Sequence, residues 1–336
     1  LVPETVETEQ RISIERGRKF GGGVALLLQQ LPALLGLVLL CVALSIARPN
    51  TFPTPSNLLT VLVQFSVNAV LAIGITPVII TAGIDLSIGS ILALSAVCMA
   101  VTMRAAPFGG GAADIALGVL VGLGVGTLYG IVNGSVISLS GLPPFIVTLG
   151  TMSMGRGAAL LLTGGLEVTG LPQAFTDVWQ GSGVPNVSVM IAVAVVMHIL
   201  LSRTSLGRHA YAIGGNAQAA RLSGIPMVRS LTAIYGLCGL CAGIAAMLTV
   251  GREASTRGTV GLGYELDAIA AAVIGGTSLM GGQGSVVGTV IGAATMGVLR
   301  NGLVLLGVSD NNQKILIGAV VILAVLVDKL RRGPRL

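Results

Sequence analysis

RTSLGRHAYAIGGNAQAARLSGIPMVR, residues 203–229, is a polar, basic stretch set deep in a chain that is otherwise mostly apolar. Four arginines (Arg203, Arg208, Arg221, Arg229) occur in it, and no Asp or Glu. Short loops rich in Lys and Arg stay on the cytoplasmic side of a membrane, so this loop orients everything on either side of it. Within it, Asn216 can cap a short helix over 217–223, Gly224 can close that helix in the left-handed conformation, and Pro226 prevents its continuation. A short helix held between two spans and offered to the cytosol is a shape suited to receiving force from a soluble partner. The alternative is an amphipathic loop resting on anionic lipid headgroups.

The surrounding sequence sets the class. Of 336 residues, 53% are hydrophobic, 10% are charged and 49 are glycine, and the mean hydropathy is +0.93. That composition excludes an ordinary soluble domain and predicts an all-α polytopic membrane protein. The net charge of +6 comes from basic residues gathered beside apolar runs, so orientation in a bilayer accounts for it and nucleic-acid binding is not expected. Cys41, Cys98, Cys238 and Cys241 all fall in apolar runs, as small packing residues do. The C-x-x-C at 238–241 has no second pair or clustered histidines beside it, as a metal or redox site would need.

A helical span needs roughly 20 apolar residues. Ten segments come near this, at about 24–47, 58–82, 90–103, 115–139, 145–163, 189–201, 231–250, 266–280, 286–306 and 315–327. They divide the chain into an N-terminal tail (1–23), a transmembrane domain (24–327) containing the loop 203–229, and a C-terminal tail (328–336). Basic residues mark both tails as well as the loop, and even numbers of spans separate the three. About ten transmembrane helices therefore place both termini and the loop in the cytoplasm. The stretch 164–188 carries Glu167, Asp177 and Trp179 but no Lys or Arg, and belongs outside. The segments at 189 and 266 are short for a bilayer, and either could be a half-helix or re-entrant. GLGVGTLYG at 122–130 has glycine spacing that lets transmembrane helices approach closely, and lacks the preceding strand of a dinucleotide-binding turn.

Two other stretches break the apolar pattern. VIITAGIDLSIGS at 78–90 and VIGGTSLMGGQGS at 273–285 align without gaps, sharing Val-Ile at the start and Gly-Ser at the end. Broken helices at membrane depth are tolerated only where the freed backbone groups face protein or a water-filled cavity. These breaks are the candidates for a transport path, with Asp85, Ser87, Ser278 and Gln283 as its polar residues. Asp85 either lines the path or satisfies backbone N–H groups at the start of the third span. Ser87 and Gln283 could contact a passing solute or bond to neighbouring helices. Arg156 and Arg300, inside spans, are expected to make structural pairs.

GIDLSIGS at 83–90, LGRHAYAIGGNAQAARLSGI at 206–225 and GYELDAIAAAVIGGTSLMGGQGS at 263–285 resemble, in this order, the three most characteristic stretches of the ribose/xylose-type permeases of bacterial ABC importers. The resemblance extends from the first span nearly to the C-terminus. It implies a multi-pass subunit of the bacterial inner membrane, embedded in lipid, that passes a monosaccharide from an external sugar-binding protein to the cytoplasm by alternating access. It also implies a dimer, expected to be a homodimer, seated on two cytoplasmic ATPase subunits. The resemblance assigns 216–224 to a coupling helix in a groove of the ATPase, with Gly207 and Arg208 at its approach and Asn216, Ala219, Arg221 and Gly224 within it.

No G-x-x-x-x-G-K-[S/T] phosphate loop occurs, and the only lysines are Lys19, Lys314 and Lys329. ATP and magnesium are therefore expected on the partner ATPase, with no catalytic site, metal or cofactor on this chain. With 3% aromatic residues and one Trp, a tight sugar site inside the membrane is not expected, and selectivity should rest with the binding protein. The alternatives are a secondary transporter driven by an ion gradient, or an ABC permease for a nucleoside or another small polar solute. A secondary transporter calls for paired intramembrane carboxylates, to which Asp85 and Asp267 come nearest.

Overall fold

The structure, a computed structural model, describes residues 30–332. The N-terminal tail 1–23, the beginning of the first span and residues 333–336 lie outside the described residues. Among the described residues the chain forms thirteen helices: α1 (Gln30–Ala47), α2 (Pro55–Ile80), α3 (Ile88–Ala105), α4 (Ala112–Ser140), α5 (Pro144–Thr163), α6 (Gln173–Gln180), α7 (Val184–Arg203), α8 (Ser205–Gly215), α9 (Ala217–Leu222), α10 (Met227–Glu253), α11 (Tyr264–Ile274), α12 (Val286–Leu305) and α13 (Asp310–Arg332). Eight of these, α1 to α5, α7, α10 and α12, are long and apolar enough to cross a membrane. The 23 residues of α13 carry the apolar run expected at 315–327. With α11 as a broken segment, this is the all-α polytopic membrane architecture expected from composition.

Local chemistry sets the helix ends. Thr54 caps α2 by accepting a hydrogen bond from the Asn57 N–H, with proline in the first turn where its missing N–H is harmless. Ser285 caps α12 in the same way, from the Gly288 N–H. The segment at 189–201 is the middle of a full 20-residue helix, α7, and not a half-helix. Its first five residues include Pro185, Asn186 and Ser188, so the apolar run understates its length. By contrast α11 has 11 residues, about 16 Å of helix, too short to span a bilayer alone, and the irregular stretch 275–285 follows it. Residues 164–188, expected as loop, contain α6, whose Phe175 and Trp179 rings meet edge to face with centroids 6.2 Å apart.

The centre of the bundle is α2, α3 and α10, buried along most of their length. On the periphery, α1, α4, α5 and α7 expose leucines such as Leu120, Leu128 and Leu161, as helices facing lipid do. The glycines of 122–130 do pack: a Cβ on Gly126 would strike the carbonyl of Gly239, and one on Gly130 the carbonyl of Tyr235. Close approach of α4 to α10 depends on them. Cys238 and Cys241, on α10, are free and buried in this packing.

Candidate functional site

The basic loop folds into two helices and a corner. Thr204 Oγ1 accepts from the Gly207 N–H at 3.3 Å and starts α8. Gly207 is buried where α8 turns away from α7, and a Cβ there would run into the carbonyl of Leu201. Asn216 Oδ1 then accepts from the Ala219 N–H at 2.9 Å, capping α9. Gly224, at φ +80°, reverses the chain, and the Ile225 N–H donates to the Ala220 carbonyl at 3.1 Å, a Schellman closure. Pro226 precedes α10. Arg208, Asn216, Ala219, Arg221 and Gly224 are exposed, as are Arg203 and Arg229, while Ala220 turns inward. Two features escaped the sequence reading. The first is α8 itself, for which Thr204 was the available signal; the second is Leu222, 82% exposed among the arginines.

At the same end of the bundle, α8 touches both broken segments. Tyr211 Oη donates to the Gly284 carbonyl at 2.8 Å. The Gly282 N–H donates to the carbonyl of Ile80, the last residue of α2, at 2.8 Å. Gly214 fills the corner between them, where a Cβ would collide with the Ile80 carbonyl oxygen and press on the Gly282 nitrogen. Burial pushes the Tyr211 phenol above its ordinary value of 10.0, which keeps it a hydrogen-bond donor. The two similar stretches noticed in the sequence thus meet in space, and α8 lies against their junction.

Inside the second break, the Ser278 N–H donates to the Gln283 carbonyl at 3.0 Å, and Ser278 Oγ accepts from the Met280 N–H at 3.2 Å. Ser278 is fully buried and Gln283 is exposed. Gln30 Nε2 donates to Ser285 Oγ at 2.8 Å, joining α1 to the end of the same loop.

In the first break, Asp85 Oδ1 accepts from the Ser87 N–H at 2.8 Å and from the Ser87 hydroxyl. Asn133 Nδ2 on α4 donates to Ser87 Oγ at 2.8 Å. All three residues are fully buried. The other carboxylate oxygen, Asp85 Oδ2, has no hydrogen-bond partner among the described residues, and neither have Asn133 Oδ1 and Tyr235 Oη. Asp85 therefore binds a backbone N–H at the start of α3, and Ser87 links it to a neighbouring helix.

The opposite half of the bundle holds the intramembrane arginines. Arg300 Nη2 on α12 pairs with Asp267 Oδ2 on α11 at 2.7 Å. Arg156 Nη1 on α5 donates to the carbonyls of Gly258 and Val260 at 3.0 and 2.7 Å, holding the stretch between α10 and α11. Beside the Arg300 pair, a cavity of about 440 Å³ opens between α2, α11, α12 and α13.

Among known proteins, the model of a family described as branched-chain amino acid transport system / permease component matches residues 57–325. The chain is 41% identical over 330 residues to the ribose import permease protein RbsC of Bacillus subtilis, covering 96% of this chain and 99% of that protein. It is 43% identical over 312 residues to RbsC of Escherichia coli K12, covering 91% and 95%. It is 36% identical over 285 residues to the D-allose transport system permease protein AlsC of the same organism, covering 84% and 86%. No solved structure matches.

Proposed function

Because this chain belongs to the family of branched-chain amino acid transport system / permease components, we propose that it is the membrane subunit of an ATP-driven importer that moves a monosaccharide. It is a multi-pass membrane permease of the carbohydrate ABC type, and partners of that type, an ATPase and a substrate-binding protein, go with it. The finer reading is as follows. Two ATPase subunits hold ATP and magnesium and dock on α8 and α9, which face the cytoplasm together with both termini. This chain contributes no catalytic group. A second copy of it completes the membrane unit, and an external binding protein delivers the sugar.

The observation that carries this reading is the junction of Ile80, Gly214 and Gly282, with Tyr211 bonded to Gly284 beside it. A force applied to exposed Arg208, Asn216, Ala219, Arg221 and Gly224 reaches both broken segments through a few hydrogen bonds. Closure of the ATPase pulls α8, the breaks separate, and Asp85, Ser87, Ser278 and Gln283 become available to sugar hydroxyls on the inner half of the path.

Gentle detergent extraction followed by mass spectrometry tests this. An ATPase subunit should copurify, and be lost when 207–224 is altered. Recovery of the chain alone, with uptake that collapses when the proton gradient is dissipated while ATP stays high, would favour a secondary transporter.

A further inference from the structure

We propose that Asp85 is held as a neutral carboxylic acid while the first break is closed, and releases its proton to cytoplasmic water when the break opens. The opening rests on the importer reading above; the held proton does not.

Asp85 is fully buried between α2 and α3. Its two carboxylate oxygens differ: Oδ1 accepts from the N–H and the hydroxyl of Ser87, while Oδ2 has no partner among the described residues. An ionised carboxylate in such a place needs a counter-charge. The ion pairs among the described residues are Arg252–Glu253 and Arg300–Asp267, and neither includes Asp85. Tyr129 on α4, with Tyr235 and Cys238 on α10, are the titratable groups near enough to feel its charge. From α11, the Glu265 carboxylate reaches Gly89, further along α3. All four are acids, so none offsets a negative charge. On α5, Arg156 is bonded to the carbonyls of Gly258 and Val260, and α2 has no titratable residue.

Space decides how the charge is removed. Asp85 Oδ2, Asn133 Oδ1 and Tyr235 Oη have no accessible surface, so neither a metal ion nor a water reaches them in this state. A proton needs no room. The cluster also lacks a donor: Asp85 Oδ2 and Asn133 Oδ1 accept only, and Ser87 Oγ between them already donates to one residue and accepts from the other. Protonation of Oδ2 supplies a donor and removes the charge in one step. Tyr235 Oη closes the cluster from α10, lying where a Cβ on Gly83 would come within 2.6 Å of it.

Opening reverses this balance. When α8 draws the two breaks apart, water reaches the carboxyl and solvates its ionised form. The O–H bond then breaks, the proton leaving to cytoplasmic water and the electron pair staying on Oδ2. Resealing takes a proton back from the same side, so no net proton crosses the membrane. The closed state binds one proton more than the open state, so rising cytoplasmic pH favours opening and falling pH favours closure.

Infrared spectra of the detergent-extracted complex, compared with those of Asp85→Asn at about pH 7, test the held proton. The difference should contain the carbonyl stretch of a protonated carboxylic acid, and carboxyl-labelled heavy-carbon aspartate should shift that band in the unaltered protein. A difference showing only ionised carboxylate bands would overturn the proposal. If Asp85→Asn fails to insert, the labelled protein carries the same readout. The switch is read in inside-out vesicles, as modification of Ser278→Cys by a membrane-impermeant methanethiosulfonate, with Asp85 and with Asp85→Asn. Ser278 is buried at rest, so modification reports opening. The ratio of the two rates cancels the thiol's own titration, and should rise by up to about tenfold per pH unit between about pH 6 and about pH 8. A ratio constant with pH would overturn the switch. Failure of the importer reading is seen separately, as monosaccharide uptake that does not depend on ATP, and leaves the infrared result standing.

Discussion

Gly214 sits where a single added carbon has nowhere to go. Its Cβ would meet the main chain of Ile80 and Gly282, and main-chain atoms cannot rotate aside as a side chain can. Gly214→Ala should therefore lower stability by about 1–3 kcal/mol and reduce uptake, measured by thermal unfolding in detergent and by transport in cells. Its neighbour Gly215 has no atom within 4 Å of such a carbon, so Gly215→Ala should leave both unchanged or slightly raise stability. Tyr211→Phe removes one hydrogen bond to the same junction, at about 1 kcal/mol. Because the Tyr211 phenol is raised above 10.0, the bond is fully present below pH 10 and is lost only as the pH rises past the folded-state value. The penalty of Tyr211→Phe should accordingly be constant across the physiological range. Arg300→Leu tests the other half of the molecule, since it leaves the nearly buried Asp267 carboxylate unpaired. The expected loss is about 1–3 kcal/mol, and adding Asp267→Leu should restore part of it, because a paired deletion leaves no orphaned charge.

Among the elements, α9 is the most exposed to test. Its six residues cannot sustain a helix alone, so its caps and its packing through Ala220 hold it. Asn216→Ala should cost about 1 kcal/mol locally, seen as faster amide exchange over 217–222 with α10 unaffected. Arg208→Ala and Leu222→Ser alter only exposed side chains, so stability should shift by less than about 0.5 kcal/mol while the bound ATPase is lost. Unchanged ATPase recovery from both variants would remove this surface from the docking site. The caps of α9 were legible in the sequence because capping is a matter of neighbouring residues: Asn216, Gly224 and Pro226 announce themselves. So were the long spans, from apolar length alone. The helix α8 was not, because the face it buries, Gly207, Ala210 and Ile213, recurs every three residues but is built mostly of small side chains that give little apolar signal. Nor could any spacing rule pair Arg300 with Asp267, or bring Asn133 to Ser87, since those partners meet only through tertiary packing.

For the whole molecule, the prediction concerns energy supply. Uptake of a neutral monosaccharide by cells carrying this chain should fall when ATP is depleted and persist when the proton gradient alone is dissipated. Its two halves are built from different materials. Side chains make the half around Asn68 and Arg300: amides, a ring, an ion pair. The junction at the other end is made mostly of backbone, with Ile80, Gly214 and Gly282 meeting through carbonyl, glycine and amide. A joint of that kind has little slack. Substitutions among the side chains of one half can therefore accumulate without disturbing the main-chain contacts of the other, so the two ends of the fold are free to drift at different rates.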